Sequence, residues 1–181
     1  EITKMTESKY IWMDGEFVAW HDAKVHVLSH TLHYGNGAIE GTKAYKTVDG
    51  RCAIFKLNEH TKRLLNSSKM TLMDVPFSLE ELNKAQVELL QKNELTNGAY
   101  LRPLVYLGYG VMGLYHKDAP VKVSLSAWEW GAYLGEEGLK KGVRVKISSF
   151  TRTPNTSGMG KAKAVANYLN SQMAKYEAVE A

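Results

Sequence analysis

An Asp-Gly pair between two apolar runs is the feature that most constrains this chain. Tyr10-Ile11-Trp12-Met13 and Glu16-Phe17-Val18-Ala19-Trp20 flank Asp14-Gly15. Both turn residues tolerate the positive φ of a two-residue hairpin turn, so the runs are predicted to fold back as antiparallel strands. The arrangement recurs at Asp49-Gly50, between residues 42–48 and 51–55. Further strands are expected at 99–108, 121–130 and 142–149. In the last of these Val143, Val145 and Ile147 alternate with Arg144, Lys146 and Ser148. Ser78-Leu79-Glu80-Glu81 has the form of a capping box, and Leu79, Leu82, Leu89 and Leu90 carry a helix from it to about Lys92. Asn58 is placed to cap another helix that runs through Lys69 with Arg63 in its middle. Residues 162–181 set Val165, Tyr168, Leu169, Met173 and Tyr176 at the spacing of a one-sided helix. Hairpins mixed with helices, without strict strand–helix alternation, read as α+β.

Three glycines between residues 131 and 138 separate two strand patterns and read as a linker. On that basis residues 1–130 form one domain, 131–141 the linker, and 142–181 the truncated start of a second domain. No run of about 18 apolar residues is present, so a membrane-spanning helix is not expected. Residues 1–9 are polar and do not read as a signal peptide. The single cysteine, Cys52, rules out an internal disulfide framework and fits a reducing, cytoplasmic setting. Twenty-three Lys and Arg against nineteen Asp and Glu give a formal charge of +4, but the basic residues are scattered. A nucleic-acid face needs them clustered along one element, so none is expected.

Several motif-like strings lack the context their chemistry requires. Gly108-Tyr109-Gly110-Val111-Met112-Gly113 fits a dinucleotide fingerprint, yet a loop ending at Pro120 follows it where a helix must open. Residues 155–162 resemble a phosphate-binding loop, but Asn155 replaces its first glycine and Ala162 its hydroxyl residue. His26 and His30 have helical spacing without a third ligand, so no metal site is expected. Lys161 and Lys163 stand among small residues in Lys161-Ala162-Lys163-Ala164-Val165-Ala166. Pattern alone leaves both readable as ordinary solvated lysines, the commoner fate of that residue. It also admits a desolvated amine of lowered pKa, able to form a Schiff base with an aldehyde.

Read together, six strings resemble those of branched-chain amino-acid aminotransferases, class-IV (fold-type IV) pyridoxal-phosphate enzymes. They are Ile11-Trp12-Met13-Asp14-Gly15-Glu16; His33-Tyr34-Gly35 with Ile39-Glu40-Gly41-Thr42-Lys43-Ala44-Tyr45; Glu59-His60-Thr61-Lys62-Arg63-Leu64; Ala99-Tyr100-Leu101-Arg102-Pro103; Trp130-Gly131-Ala132-Tyr133-Leu134-Gly135; and Lys163-Ala164 with Asn167-Tyr168-Leu169. The resemblance implies a two-domain fold and pyridoxal 5'-phosphate as cofactor, held by Lys163 as a Schiff base. It implies that Arg63 binds the cofactor phosphate and that Tyr168 hydrogen-bonds the cofactor ring. Tyr34, Ile39, Tyr100, Trp130 and Tyr133 would wall the substrate side chain, Arg102 would anchor the distal carboxylate of glutamate or 2-oxoglutarate, and Lys43 would support them. The implied reaction moves the amino group between leucine, isoleucine or valine and 2-oxoglutarate, in a homodimer or higher homo-oligomer. Alternatives are a D-amino-acid aminotransferase or an aminodeoxychorismate lyase of the same fold, or a non-catalytic fragment that packs against a partner. The family's later cofactor contacts lie beyond Ala181, so these 181 residues alone are expected to be inactive.

Overall fold

The computed structural model describes residues 5–130, 138, 140–154, 156 and 160–180. Among them one seven-stranded antiparallel sheet organises the chain, built from β1 (Tyr10–Met13), β2 (Glu16–Ala19), β3 (Gly37–Ile39), β4 (Thr42–Lys46), β5 (Cys52–Ile54), β6 (Gly98–Leu107) and β7 (Val121–Trp128). The strand order is β2-β1-β7-β6-β4-β5, with β3 also on β6. Asp14 and Gly15 both have positive φ, 49° and 106°, and Met13 pairs with Glu16 across them. This is the tight hairpin the sequence predicts. At the second Asp-Gly pair only Gly50 of the two is left-handed, at 81°. Its N–H closes a turn onto the carbonyl of Thr47, so the loop is longer than two residues and β4 ends at Lys46.

Helices α2 (Leu57–Met70) and α3 (Leu79–Lys92) pack on each other and cover one face of the sheet. Alternate residues of β6, Ala99, Leu101, Val105 and Leu107, turn toward them and are buried with Leu64, Leu82 and Leu89. A short α1 (His30–Tyr34) sits at the other end of β6, and α4 (Tyr168–Val179) closes the described chain.

Pro103 shapes the sheet where function will matter. It lies in β6, which is paired along both edges: Pro103 stands opposite Leu125 of β7 on one side. On the other side Glu40 donates its N–H to the Pro103 carbonyl at 3.0 Å. Proline has no N–H to return, so the ladder stops there. Ile39 pairs with Leu104 and Thr42 with Leu101, and Glu40-Gly41 form the gap that divides β3 from β4. Gly41 is required by a close approach: a Cβ there would overlap the Tyr100 hydroxyl and stand 3.0 Å from Tyr100 Cζ.

Three expectations are corrected. The helix through Arg63 starts at Leu57, after a left-handed Lys56 that makes no side-chain cap bond. Asn58 is already inside it and accepts from Asn83 on α3 instead. Residues 142–149 form no strand, because alternation needs a neighbouring strand and none pairs with them among the described residues; Val145 and Ile147 are exposed. The C-terminal helix begins at Tyr168 rather than near Ala162, because Ala164 bridges Ala38 at the free edge of β3 and holds the preceding residues extended. The linker glycines lie outside the described residues.

The capping box at α3 is present as the sequence predicts: Ser78 accepts from the Glu81 N–H and the Glu81 carboxylate accepts from the Ser78 N–H. Ser78→Ala is expected to lower stability by about 1 kcal/mol, read as a lower urea midpoint at unchanged slope.

Candidate active site

The site grows from the edge of β3 and one face of α2. Arg63 and Ser67 are four residues apart on α2 and so share a face. The buried Ser67 hydroxyl accepts from the backbone N–H of Lys163 at 3.0 Å, and the carbonyl of Lys163 accepts from the N–H of Ile39 at 3.0 Å. Lys163 is thus fixed by its backbone on both sides, which leaves its amine for other partners. That amine donates to the Tyr168 hydroxyl at 2.8 Å. Lys163, Tyr168 and Arg63 line one polar cleft of roughly 390 Å³, with Arg152, Lys161 and Asn167. Lys163 is half-buried, whereas Lys161 is exposed.

Beneath Arg63 lies Glu40, in the gap between β3 and β4. Its side chain is fully buried while that of Arg63 is 54% exposed. Arg63 donates through Nε to Oε1 and through Nη2 to Oε2, the latter at 2.8 Å, and His60 Nδ1 lies 2.8 Å from Oε2. Burial pushes the Glu40 carboxyl up; hydrogen bonds from Arg63 and His60, with their charges, outweigh it and hold the carboxyl below its usual range. Donating that hydrogen bond to Glu40 raises the pKa of Arg63.

A second grouping forms on the sheet face away from α2 and α3. Arg102 donates to the Tyr100 hydroxyl at 2.7 Å, and the Tyr100 ring packs on Trp128 and Trp130. Arg102, Trp128 and Trp130 line an apolar hollow with Trp20 and Ile11, and Lys43 lines a neighbouring one with Trp130. The expected substrate residues therefore divide. Tyr100, Arg102 and Trp130 stand together, while the backbone of Ile39 touches Lys163. Tyr34 lies on α1 with its ring against His30 and lines none of these three clefts. Tyr133 lies outside the described residues.

Sequence reasoning passed over Glu40, His60 and Ser67. An acidic residue after Ala38-Ile39 in an apolar strand pattern, and His60, Arg63 and Ser67 on one helical stripe, were the signals that could have found them.

A family model described as amino-transferase class IV matches residues 37–181. The chain belongs to the class IV aminotransferases. This class IV chain is 47% identical over 169 residues to the branched-chain-amino-acid aminotransferase of Pseudomonas aeruginosa, across 93% of its own length and 54% of that protein. It is 43% identical to the Escherichia coli K12 branched-chain-amino-acid aminotransferase, across 96% of its length and 57% of the relative. The crystal structure of the Escherichia coli enzyme matches with a TM-score of 0.90 at 40% identity, again across 96% of this chain and 57% of that one. The T.th. branched-chain amino acid aminotransferase, solved with pyridoxamine 5'-phosphate, matches with a TM-score of 0.89 at 45% identity and the same coverage. The chain spans just over half the length of these relatives. Its mixed helices and antiparallel sheet are those of a fold-type IV aminotransferase, in accord with the α+β expectation. No helix among the described residues is long and apolar enough to cross a membrane, and no cluster of metal-ligating side chains occurs among them.

A carboxyl held below its ordinary pKa stabilises the fold at neutral pH, and that contribution is lost as pH falls through the folded-state value. For Glu40 the loss begins below the ordinary 4.5. Between about pH 6 and about pH 3 the wild type is expected to lose more stability than Glu40→Gln, read as a steeper fall in urea midpoint with acidification.

Proposed function

We propose that the chain is the front part of a branched-chain amino-acid aminotransferase and carries its cofactor lysine. On this reading the enzyme exchanges an amino group between leucine, isoleucine or valine and 2-oxoglutarate. The observation that carries it is the 2.8 Å contact between the Lys163 amine and the Tyr168 hydroxyl, in a cleft that also holds Arg63.

The donor set fits pyridoxal 5'-phosphate: an amine for its aldehyde, a hydroxyl for its ring oxygen and a guanidinium for its phosphate. The cleft volume falls within the ~300–1,000 Å³ usual for small-molecule sites. When bound, this cofactor supplies an aldehyde and an electron-withdrawing ring that makes the α-proton of an amino acid removable. Lys163 Nζ would be the group that holds the cofactor through its aldehyde. Once freed by the substrate amine, the same Nζ would serve as the base that takes the α-proton and then gives it back. Backbone anchoring by Ser67 and Ile39 holds the base in place through both transfers, while its long side chain swings between them.

Specificity is assigned to the tyrosine–tryptophan grouping. Aromatic walls suit branched aliphatic side chains, and the Arg102 guanidinium suits the distal carboxylate of glutamate. Ile39, Lys43, Tyr34 and Tyr133 complete the proposed substrate set. We assign residues 1–130 to an N-terminal domain, 131–141 to a linker and 142–181 to the start of a second, cofactor-bearing domain. The working enzyme is proposed to be a cytoplasmic homodimer or larger homo-oligomer, and the 181 residues alone to lack turnover.

Borohydride reduction in the presence of pyridoxal 5'-phosphate, followed by peptide mapping, is expected to place the label on Lys163. Label on Lys161 would move the site. In the full-length protein Lys163→Ala is expected to remove essentially all transfer from L-leucine to 2-oxoglutarate while leaving the fold intact. Wild-type turnover of D-alanine in place of L-leucine would favour a D-amino-acid aminotransferase.

A further inference from the structure

We propose that Glu40 is a positioning residue for the phosphate of the cofactor, acting through Arg63. This rests on the reading that Arg63 is the phosphate ligand. The carboxylate is fully buried, which is costly unless every lone pair is used, and here both oxygens are engaged by Arg63, His60 Nδ1 and the Gly41 N–H. Buried ion pairs add little net stability over an apolar core, so stability alone gives weak reason for this one. Its geometry gives a better reason. The carboxylate takes the Nε and Nη2 edge of Arg63, a two-point contact that fixes the plane of the guanidinium. The N–H groups of Nη1 remain, on a side chain 54% exposed and lining the cleft that holds the Lys163 amine.

A freely swinging arginine would give up its rotamer freedom each time an anion bound. Glu40 takes that ordering into the folded state and presents the fork already aimed. The Glu40–Arg63 pair is itself neutral, so direction comes from Arg63, and attraction is supplemented by Arg152 and Lys161 on the walls of the same cleft. The sheet makes room for this arrangement. Strand alternation sets the Glu40 side chain on the same face as Ala38 and Thr42, under α2.

The test is equilibrium binding of pyridoxal 5'-phosphate and of pyridoxal, the same aldehyde without its phosphate, to the full-length apo protein, read from imine absorbance. Glu40→Gln puts an N–H where Arg63 needs an acceptor. It is expected to weaken pyridoxal 5'-phosphate about tenfold and to leave pyridoxal within about twofold. Combined with Arg63→Lys it is expected to add no further loss, because both changes remove the same fork. Equal losses for the two ligands, or no loss for either, would overturn the proposal. Should Glu40→Gln fail to fold, Glu40→Asp keeps the charge, shortens the reach and carries the same comparison. A wild type that binds both ligands alike, or an Arg63→Lys variant without effect, would instead remove Arg63 as phosphate ligand and this inference with it.

Discussion

Two backbone hydrogen bonds to Lys163 hold the site together. Ser67 takes its N–H and Ile39 supplies its carbonyl partner, so a residue from the far end of the chain is locked between α2 and the edge of the sheet. This explains why Lys163 precedes the C-terminal helix instead of riding on it. In a helix its N–H and carbonyl would be consumed by neighbours along the axis. Extended beside β3, they are spent on α2 and β3, and the amine acquires a fixed origin close to Arg63 and Tyr168. A reactive side chain needs this combination of a rigid root and a mobile tip.

The second organising element is an absence. Pro103 lacks the one N–H that would continue the ladder, and at that point the chain places a buried acid and a glycine. Glu40 goes to one face of the sheet, under Arg63. Gly41 leaves space for Tyr100, whose hydroxyl meets Arg102. The residues proposed for phosphate and for distal carboxylate thus meet Glu40 directly and Gly41 through Tyr100, on opposite faces of the sheet.

Much of this was legible in the residues themselves. Asp14-Gly15 announced its hairpin, and Ser78 with Glu81 announced α3, because turn and cap chemistry are local. The Lys163-to-Tyr168 spacing and Arg63 were recognisable by resemblance, and they meet in one cleft. What failed depended on distant partners. The alternation of Val143, Val145 and Ile147 is a real strand signal that finds no strand beside it among the described residues. The start of α4 was misplaced because its small residues favour a helix, while a bridge to Ala38 overrides them. Glu40 stood in a resembling string without a role, because its partner Arg63 lies on α2 and only the fold brings the two together.

The fit of Tyr100 over Gly41 has a consequence for how the pocket tolerates change. A single methyl added at residue 41 has no free volume to enter, since the phenol already fills it. The ring packs on two indoles and its hydroxyl accepts from Arg102, so any shift that makes room is felt by both contacts. The smallest edit the genetic code allows at this glycine would therefore be transmitted, by crowding alone, to a cation on another strand.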